Sequence, residues 1–303
     1  MKDAPIDAAT IAIPEARRAS GGFGDYLALT KPRLNFLVVA TSAAGYYLGG
    51  PGGADVVSMA EAVAGTALVA GGAAVLNQLY ERDTDALMRR TRLRPLPAGR
   101  VGPADARTFG LALSVAGLVL LAAHANWLSA ALALATLVTY LAIYTPMKRR
   151  TSLATLVGAV PGALPALIGW TASHGSIASG GTALFAIVFL WQIPHFMAIA
   201  WLYREDYSKA GFPMLPVIDP AGRRAGRQAV WYAAALVPVS LAPSYIGLAG
   251  SVYFASALVL GLALLVLAVR FSATRSDTAA RALFFGSITY LPLIWIVMIG
   301  NKL

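Results

Sequence analysis

Apolar runs of nearly bilayer-spanning length recur along this chain and constrain its fold more than any other feature. Each run comes near the roughly 20 residues that a transmembrane helix needs. Only 13% of the 303 residues are charged, about half the share found in soluble domains. The sequence therefore predicts an all-α membrane protein with about nine transmembrane helices in a single bundle. The runs lie near residues 34–50, 56–80, 106–124, 126–146, 152–172, 181–203, 228–247, 251–270 and 282–300.

The basic residues predict which way these helices face. In a nine-span arrangement, 23 of the 24 Lys and Arg residues fall on one side, and only Lys302 falls on the other. Positive charge in short loops marks the cytoplasmic side of a membrane protein. We therefore expect an integral protein of a bacterial inner membrane, with a cytoplasmic N-terminus and a periplasmic C-terminus.

The charge balance and the absence of cysteine exclude several classes of function. The formal net charge is +10, but the basic residues follow the membrane rule and form no nucleic-acid-binding motif, so no nucleic-acid partner is expected. The bilayer itself is the expected surrounding. With no cysteine, disulfides and thiolate-bound metals are excluded. Residues 1–24 are polar and read as a flexible cytoplasmic tail, followed by one intramembrane domain over residues 25–303.

The strongest functional signal stands at the end of the second apolar run. Asn77, Glu81 and Asp85 are spaced by four residues, so at about 100° per residue they share one helical face. Amide and carboxylate oxygens at the rim of a membrane helix cost free energy unless they bind a ligand. Oxygen ligands in a partly hydrated site suit Mg²⁺, which is usually bound together with substrate phosphates. Arginines that follow at once, including Arg90 and Arg94, suit those phosphates. The alternative is a solvated helix end with ordinary juxtamembrane arginines.

Two further polar segments, residues 144–151 and 191–217, are expected on the same cytoplasmic side. Each combines basic residues with aromatic side chains, and the opposite face carries little polar chemistry. Three such segments at one end of a helical bundle indicate the mouth of a cavity. We therefore expect a central chamber that opens to the cytoplasmic side.

These segments resemble the intramembrane prenyltransferases of the UbiA superfamily, over about residues 25–300. That superfamily's first motif is Asn-x3-Asp-x3-Asp, which occurs here as Asn77-x3-Glu81-x3-Asp85, with Glu in place of the middle Asp. More narrowly, the chain resembles the heme-farnesylating branch of the superfamily. Four stretches carry that narrower resemblance: TKPR at 30–33, MRRTRLRPLPAGR at 88–100, WQIPHF at 191–196 and DYSKAGFPMLPV at 206–217.

The resemblance implies transfer of a farnesyl group from farnesyl diphosphate to a vinyl group of protoheme IX, by Mg²⁺-assisted ionisation. Heme is then a substrate and Mg²⁺ the cofactor. In this reading the catalytic and Mg-diphosphate residues are Asn77, Glu81, Asp85 and Asp206. The implied substrate-binding residues are Arg90, Arg94, Tyr144, Lys148, Arg149, His195, Arg204, Tyr207 and Lys209. The superfamily's second paired-acid motif is reduced here to Asp206, because Leu202 stands where its partner would be; Arg204 or Lys209 would supply charge instead.

His195 lies within an apolar run, where a histidine is a functional candidate by default. Imidazole is a common axial ligand of heme iron, but a packing histidine bonded to a neighbouring group remains the alternative. If one helix continues from His195 to Asp206, the eleven residues between them make about three turns and a rise of about 16 Å. The porphyrin would then lie deeper than the diphosphate.

Two other classes of function remain open from the sequence. A prenyltransferase acting on a quinone precursor would share the fold and the first motif, but we would expect it to carry paired acids in the second. A non-enzymatic heme-binding or transport protein would not need Asn77, Glu81, Asp85 and the arginine run together. If the chain farnesylates heme, a heme A synthase or an oxidase-assembly protein is an expected partner.

Overall fold

The computed structural model describes residues 21–50 and 55–303. Most of the predicted tail over residues 1–24 lies outside the described residues, and its last two residues already belong to the first helix. A π-helical segment, Thr139–Tyr144, joins α6 to α7. In chain order the α-helices are α1 (Phe23–Leu29), α2 (Pro32–Gly49), α3 (Val56–Tyr80), α4 (Arg82–Asp85), α5 (Pro103–His124), α6 (Trp127–Val138), α7 (Thr145–Met147), α8 (Ala154–His174), α9 (Ser179–Leu202), α10 (Arg204–Lys209), α11 (Leu215–Ile218), α12 (Arg223–Tyr245), α13 (Ser251–Thr274) and α14 (Asp277–Gly300).

The long helices coincide with the predicted apolar runs. Within the described ranges, seven helical segments are long and apolar enough to cross a membrane: α3, α5, the continuous segment Trp127–Met147, α8, α9, α13 and α14. The helices α2 and α12 occupy the other two predicted spans, but their first turns are basic and polar, with Arg33 in α2 and Arg223 in α12. The all-helical membrane fold is confirmed, and the count of nine spans stays a prediction.

Small residues allow the helices to approach closely where they cross. The contacts between α3 and α5 and between α2 and α8 are the most extensive in the bundle. A methyl group at Gly45 would overlap the backbone oxygen of Ala166, and one at Gly72 would overlap Ser114 and Gly110. In lipid, helix association depends on such close packing because burial from water drives little of it. The glycine-rich composition thus fixes the helix spacing around the chamber.

The α9 helix lies at the centre of the second half of the bundle. It packs against α8, α12 and α14, and its residues Trp191, Ile193 and Met197 belong to the largest hydrophobic core. A side chain on α9 that points away from this core therefore faces the chamber.

The condition of one continuous helix from His195 to Asp206 is not met. The α9 helix ends at Leu202, and Tyr203 leaves the helical conformation at φ −111° and ψ 22°. The chain then starts the separate short helix α10. Tyr207, and not Asp206, lines the same chamber as His195, so His195 and Asp206 do not share a helical face.

Candidate functional site

A cavity of about 290 Å³ collects most of the candidate residues at the expected cytoplasmic end of the bundle. Five separate segments of the chain meet there: the start of α2, the end of α3 with the loop after it, the π-helical segment with α7 and Lys148, the start of α8, and α9 with α10 and the loop after it. The polar and charged residues of its lining are Lys31, Asn77, Glu81, Asp85, Arg90, Arg94, Tyr140, Tyr144, Lys148, Thr155, His195 and Tyr207. The apolar residues of its lining are Leu34, Met88, Phe196, Ile199, Ala200, Phe212 and Met214.

Asn77, Glu81 and Asp85 line one wall of this cavity, as the four-residue spacing predicts. The α3 helix formally ends at Tyr80, yet the helical bonding continues, because Glu81 N–H donates to Asn77 O at 2.9 Å and Asp85 N–H donates to Glu81 O at 2.8 Å. All three are buried, with exposures of 1%, 7% and 1%. A buried carboxylate needs a charged partner, so the rest of the site must supply cations.

The amide of Asn77 is held in one orientation by the π-helical segment. Its Nδ2 donates to Thr145 Oγ1 at 3.1 Å, and Tyr140 O–H donates to its Oδ1 at 3.3 Å. Thr145 Oγ1 in turn donates to the carbonyl of Tyr140 at 2.7 Å. The π turn thus brings a tyrosine and a threonine onto the same asparagine, and it leaves one lone pair of Oδ1 for a further ligand.

Both carboxylates of the wall are paired with basic side chains from other segments. Lys148 Nζ donates to Glu81 at 2.9 Å, and Arg94 Nη1 donates to Asp85 Oδ2 at 2.8 Å. Burial alone would lower the pKa of Lys148, but Tyr144 and the Glu81 carboxylate beside it outweigh this effect and raise that pKa above its ordinary value. The ammonium therefore stays charged.

Lys31 is a further cation of this cavity that the sequence analysis did not single out. It precedes Pro32 at the start of α2 and adopts a left-handed backbone conformation, with φ 52° and ψ 59°, which is uncommon for a residue other than glycine. Burial, followed by the nearby charges of Arg94 and Lys148, lowers the pKa of Lys31 to about 7. A strained, half-buried lysine beside other cations is the arrangement expected where an anion binds.

The donor set of the cavity fits Mg²⁺ bound together with a phosphate-bearing ligand. Four basic side chains line the cavity against two carboxylates, so an anion is needed to balance the charge. Within the described part of the chain, no group of three or more His, Cys, Asp or Glu side chains is arranged to hold a metal alone. One amide oxygen and two carboxylates are hard oxygen ligands, and Mg²⁺ usually takes few of these and shares the ion with substrate phosphates.

His195 lines the deeper part of the same cavity from α9. Its ring stacks between Trp191 and Phe284, with centroid distances of 5.2 and 5.1 Å. Its Nδ1 lies 2.8 Å from Ser287 Oγ. The site thus has a charged mouth formed by α3 and its loop, and an apolar, aromatic interior reached by one imidazole.

Tyrosine rings pack against the basic side chains of the charged mouth. Lys148 Nζ lies 4.7 Å from the ring centroid of Tyr144, and a Cβ at Gly158 would overlap that ring, so glycine at 158 leaves the space that the ring fills. The guanidinium of Arg90 lies over the rings of Tyr203 and Tyr207, and its Nη2 donates to the hydroxyl oxygen of Tyr207 at 3.4 Å. Cation–π contacts of this kind fix the positions of both partners.

The structure does not bring every candidate residue into this cavity. Asp206 and Arg204 line a second, outer groove of about 540 Å³, and Arg204 pairs with Asp277 at 3.0 Å. Lys209 and Arg149 point to solvent. The cause is the break after α9: on the short α10, Tyr207 faces the cavity, so Asp206, one residue earlier, faces away by about 100°. Arg90 is shared, because it lines both spaces.

The residues missed from the sequence are Lys31, Tyr140, Thr145 and Ser287. Lys31 lies in the TKPR stretch at 30–33, which the resemblance already singles out, so a signal for it existed. Tyr140 and Thr145 contact Asn77 because the helix makes a π turn, and no residue pattern predicts that turn. Ser287 is a small residue within an apolar run, and nothing in the sequence around it indicates a functional role.

Comparison with known proteins agrees with this geometry. The UbiA prenyltransferase family matches residues 38–289 of the chain. A protoheme IX farnesyltransferase of Solibacter usitatus is 46% identical over 287 residues, which cover 92% of this chain and 98% of that protein. A protoheme IX farnesyltransferase of Opitutus terrae is 47% identical over 283 residues, with 93% and 95% covered.

Solved structures share the fold at low sequence identity. A digeranylgeranylglyceryl phosphate synthase aligns with a TM-score of 0.78 at 16% identity, over 92% of this chain and 97% of that one. A UbiA homolog from Archaeoglobus fulgidus, bound to GPP and Mg²⁺, aligns with a TM-score of 0.66 at 18% identity, over 91% and 99%. The helical arrangement around the cavity is therefore one already seen in solved proteins.

Proposed function

Because this chain belongs to the UbiA prenyltransferase family, we propose that it transfers the farnesyl group of farnesyl diphosphate to a vinyl group of protoheme IX. The product is hydroxyethylfarnesyl heme, or heme O, and diphosphate leaves. Near-full-length relatives at 43–48% identity carry the name protoheme IX farnesyltransferase, which supports this pair of substrates.

The observation that carries the proposal is the division of one cavity into a cationic mouth and an aromatic interior. Lys31, Arg94 and Lys148 surround the carboxylate wall at the mouth. They suit the diphosphate, whose charge grows as the allylic C–O bond breaks. The interior, with His195 and Phe196 on α9, suits an apolar ring system and keeps water away from a reactive cation.

In the reaction, the electron pair of the C–O bond leaves with the diphosphate, where the basic side chains balance its charge. The π electrons of the heme vinyl group then form the new carbon–carbon bond to the farnesyl group. The cation left beside the porphyrin ring takes the oxygen of a water molecule, and that water loses one proton. Each step leaves the carboxylates and basic groups of the chain chemically unchanged.

Asn77, Glu81 and Asp85 would hold Mg²⁺ at this mouth, and a UbiA homolog bound to GPP and Mg²⁺ supports that assignment. When bound, Mg²⁺ neutralises charge on the leaving diphosphate. Glu81 and Asp85 are already held as ion pairs with Lys148 and Arg94, so these cations would shift toward the diphosphate as the metal takes the carboxylates. Asp206 and Arg204 would act from the outer groove on the shared Arg90, without entering the cavity.

The direct test is chemical. Purified protein in lipid nanodiscs is incubated with heme and farnesyl diphosphate, with Mg²⁺ or with a chelator, and the porphyrin products are separated by mass. We expect a heavier heme that gains a farnesyl group and a hydroxyl group, only when Mg²⁺ is present. Farnesylation of an added quinone precursor such as 4-hydroxybenzoate, with heme unchanged, would contradict the proposal. Heme binding without any product would favour a carrier.

The basic residues also bear on the side of the membrane from which the site is reached. Lys31, Arg90, Arg94 and Lys148 line the cavity, which supports a cytoplasmic mouth in a bacterial inner membrane. A bilayer-dissolved product of this size would pass most readily to a neighbouring membrane enzyme, so a heme-modifying or oxidase-assembly partner would dock beside the bundle.

A further inference from the structure

One fully buried serine on α14 contacts two residues of α9 at once. Trp191 Nε1–H donates to the backbone oxygen of Ser287 at 2.7 Å, and His195 Nδ1 lies 2.8 Å from the hydroxyl oxygen of the same serine. Trp191 and His195 stand one turn apart on α9, and Ser287 is 0% exposed. The serine therefore fixes both rings relative to α14.

The direction of these hydrogen bonds decides the tautomer of His195. Ser287 Oγ–H donates to the backbone oxygen of Phe284 at 2.7 Å, so its single proton is already used. The hydroxyl oxygen can then only accept from the histidine. It follows that Nδ1 carries the proton, and that Nε2 keeps its lone pair.

The same contacts decide where that lone pair points. The faces of the imidazole are covered by Trp191 and Phe284, at interplanar angles of 18° and 21°, and the Nδ1 edge is turned to Ser287. His195 is nevertheless half-exposed and lines the cavity. Among the described residues, none is hydrogen-bonded to Nε2. With the Nδ1 edge and the two faces occupied, we infer that the Nε2 edge is the part of the ring that lines the cavity.

We propose that Ser287 is a positioning residue that presents Nε2 of His195 to the iron of the porphyrin substrate, so that the site selects a metal-containing porphyrin. This inference rests on the proposed function. A neutral histidine that donates its other ring N–H to an acceptor is the usual form of a metal-ligating imidazole. Here the acceptor is a serine hydroxyl, which is itself anchored to the α14 backbone.

The selectivity follows from what the cavity can offer the porphyrin. An apolar interior binds the ring of heme and of metal-free protoporphyrin IX about equally, because the two differ only at the centre. A fixed imidazole lone pair adds a bond to iron that the metal-free ring cannot make. The preference for heme over protoporphyrin IX therefore measures the contribution of His195, and its loss on mutation measures the contribution of Ser287.

The experiment compares wild-type protein with Ser287→Ala, and uses Ser240→Ala as the matched control. Ser240 is also fully buried and donates to a backbone oxygen three residues earlier, at 2.8 Å, but it lies on α12 and does not line the cavity. The probes are ferric heme and metal-free protoporphyrin IX. The readouts are the absorption spectrum of bound heme, the affinity for each porphyrin, and the affinity for farnesyl diphosphate.

In Ser287→Ala the Nδ1 proton loses its acceptor, and the ring can turn or change tautomer. We expect heme affinity to fall roughly 10- to 100-fold, the range found when the hydrogen-bond partner of a ligating histidine is removed, with a shifted heme spectrum. Affinities for protoporphyrin IX and for farnesyl diphosphate should stay within about twofold, and Ser287→Thr, which keeps the hydroxyl, should restore the spectrum. Ser240→Ala should match wild-type protein.

An unchanged heme spectrum in a folded Ser287→Ala protein would overturn the inference. So would equal wild-type affinity for heme and for protoporphyrin IX, a comparison that needs no variant. Either result is compatible with farnesyl transfer to heme. A wild-type protein that ligates heme through His195 but never farnesylates it would instead contradict the proposed function.

Discussion

Lys148 Nζ lies 2.9 and 3.2 Å from the two carboxylate oxygens of Glu81, although 67 residues separate these side chains in sequence. The pair joins the end of α3 to the end of α7 across the cavity mouth. The side chains of Lys148 and Glu81 are only 15% and 9% exposed, so water screens these charges little. Breaking a buried pair leaves an uncompensated charge, and this makes the contact a sensitive point for mutation.

Replacing Lys148 tests the cationic mouth. Lys148→Gln removes a charge that would face the diphosphate and leaves Glu81 unpaired, so we expect turnover to fall about 100-fold or more, the usual effect of losing one group that stabilises charge in the transition state. The measurement is farnesyl transfer at saturating Mg²⁺. The exposed neighbour Arg149 is the control, and an Arg149→Gln protein that lost as much activity would contradict the assignment.

Replacing Asp85 tests the metal wall. Asp85→Asn keeps the size of the side chain but removes the negative charge that would attract Mg²⁺, and it leaves Arg94 without its partner. We expect a loss of at least about 100-fold in turnover, only partly recovered at high Mg²⁺. Asp83→Asn is the matched control, because the side chain of Asp83 is 87% exposed and pairs with Arg82. Normal turnover of Asp85→Asn at low Mg²⁺ would show that the wall binds no metal.

The cavity wall was predictable because it depends on short-range spacing. Asn77, Glu81 and Asp85 share a face by helical geometry alone, and the membrane helices follow from the length of the apolar runs. The position of Asp206 outside the cavity could not be predicted in this way. Its direction depends on where α9 ends, before Tyr203, and no proline or glycine marks that position. Lys148 and Glu81 meet only through tertiary packing, which residue spacing cannot encode.

The lowered pKa of Lys31 makes binding of the diphosphate depend on pH. In the free site the pKa is about 7, and an anion beside the amine favours its protonated form. Affinity for a non-reactive farnesyl thiodiphosphate should therefore be highest below pH 7 and weaken by up to about tenfold per unit above it, until the pKa of the bound state is reached. Lys31→Arg, which stays protonated, should show only the titration of the diphosphate itself. Identical profiles for the two proteins would contradict this role.

The lowered pKa of Lys31 also makes the stability of the folded protein depend on pH. The unfolded chain keeps a lysine pKa near 10.5, so between pH 7 and 10.5 it binds more protons than the folded protein does. Stability should rise with pH across that window, and Lys31→Met should abolish this rise. Thermal unfolding of the two proteins in detergent, followed at several pH values, measures the difference.

Thr145 tests the clamp on Asn77. Thr145→Val keeps the shape of the side chain but removes the acceptor for Asn77 Nδ2, which is left buried without a partner at a cost of about 1–3 kcal/mol. We expect the Mg²⁺ concentration needed for half-maximal activity to rise roughly tenfold or more, because groups behind a metal ligand tune its affinity to this extent. Thr145→Ser keeps the hydroxyl and should behave as wild type. An unaltered Mg²⁺ dependence in Thr145→Val would show that the amide needs no such support.

Reporter fusions test the orientation of the bundle. A reporter after Leu303 and one inserted at Gly175, between α8 and α9, should be periplasmic, whereas one at Gly99 should be cytoplasmic. The reason is the strong bias of Lys and Arg toward one face. Periplasmic activity of the Gly99 fusion would place the cavity mouth on the wrong side for the predicted topology.

The π-helical segment Thr139–Tyr144 has a consequence for how this site varies between proteins. A π turn accommodates one residue more than an α-helical path of the same length. If the same residues followed a regular α-helical path instead, the residues after the segment would be rotated by about 100°, which would take Thr145 away from Asn77. The backbone conformation of this segment, and not only the identity of its residues, is therefore part of the site that a family of such proteins has to inherit.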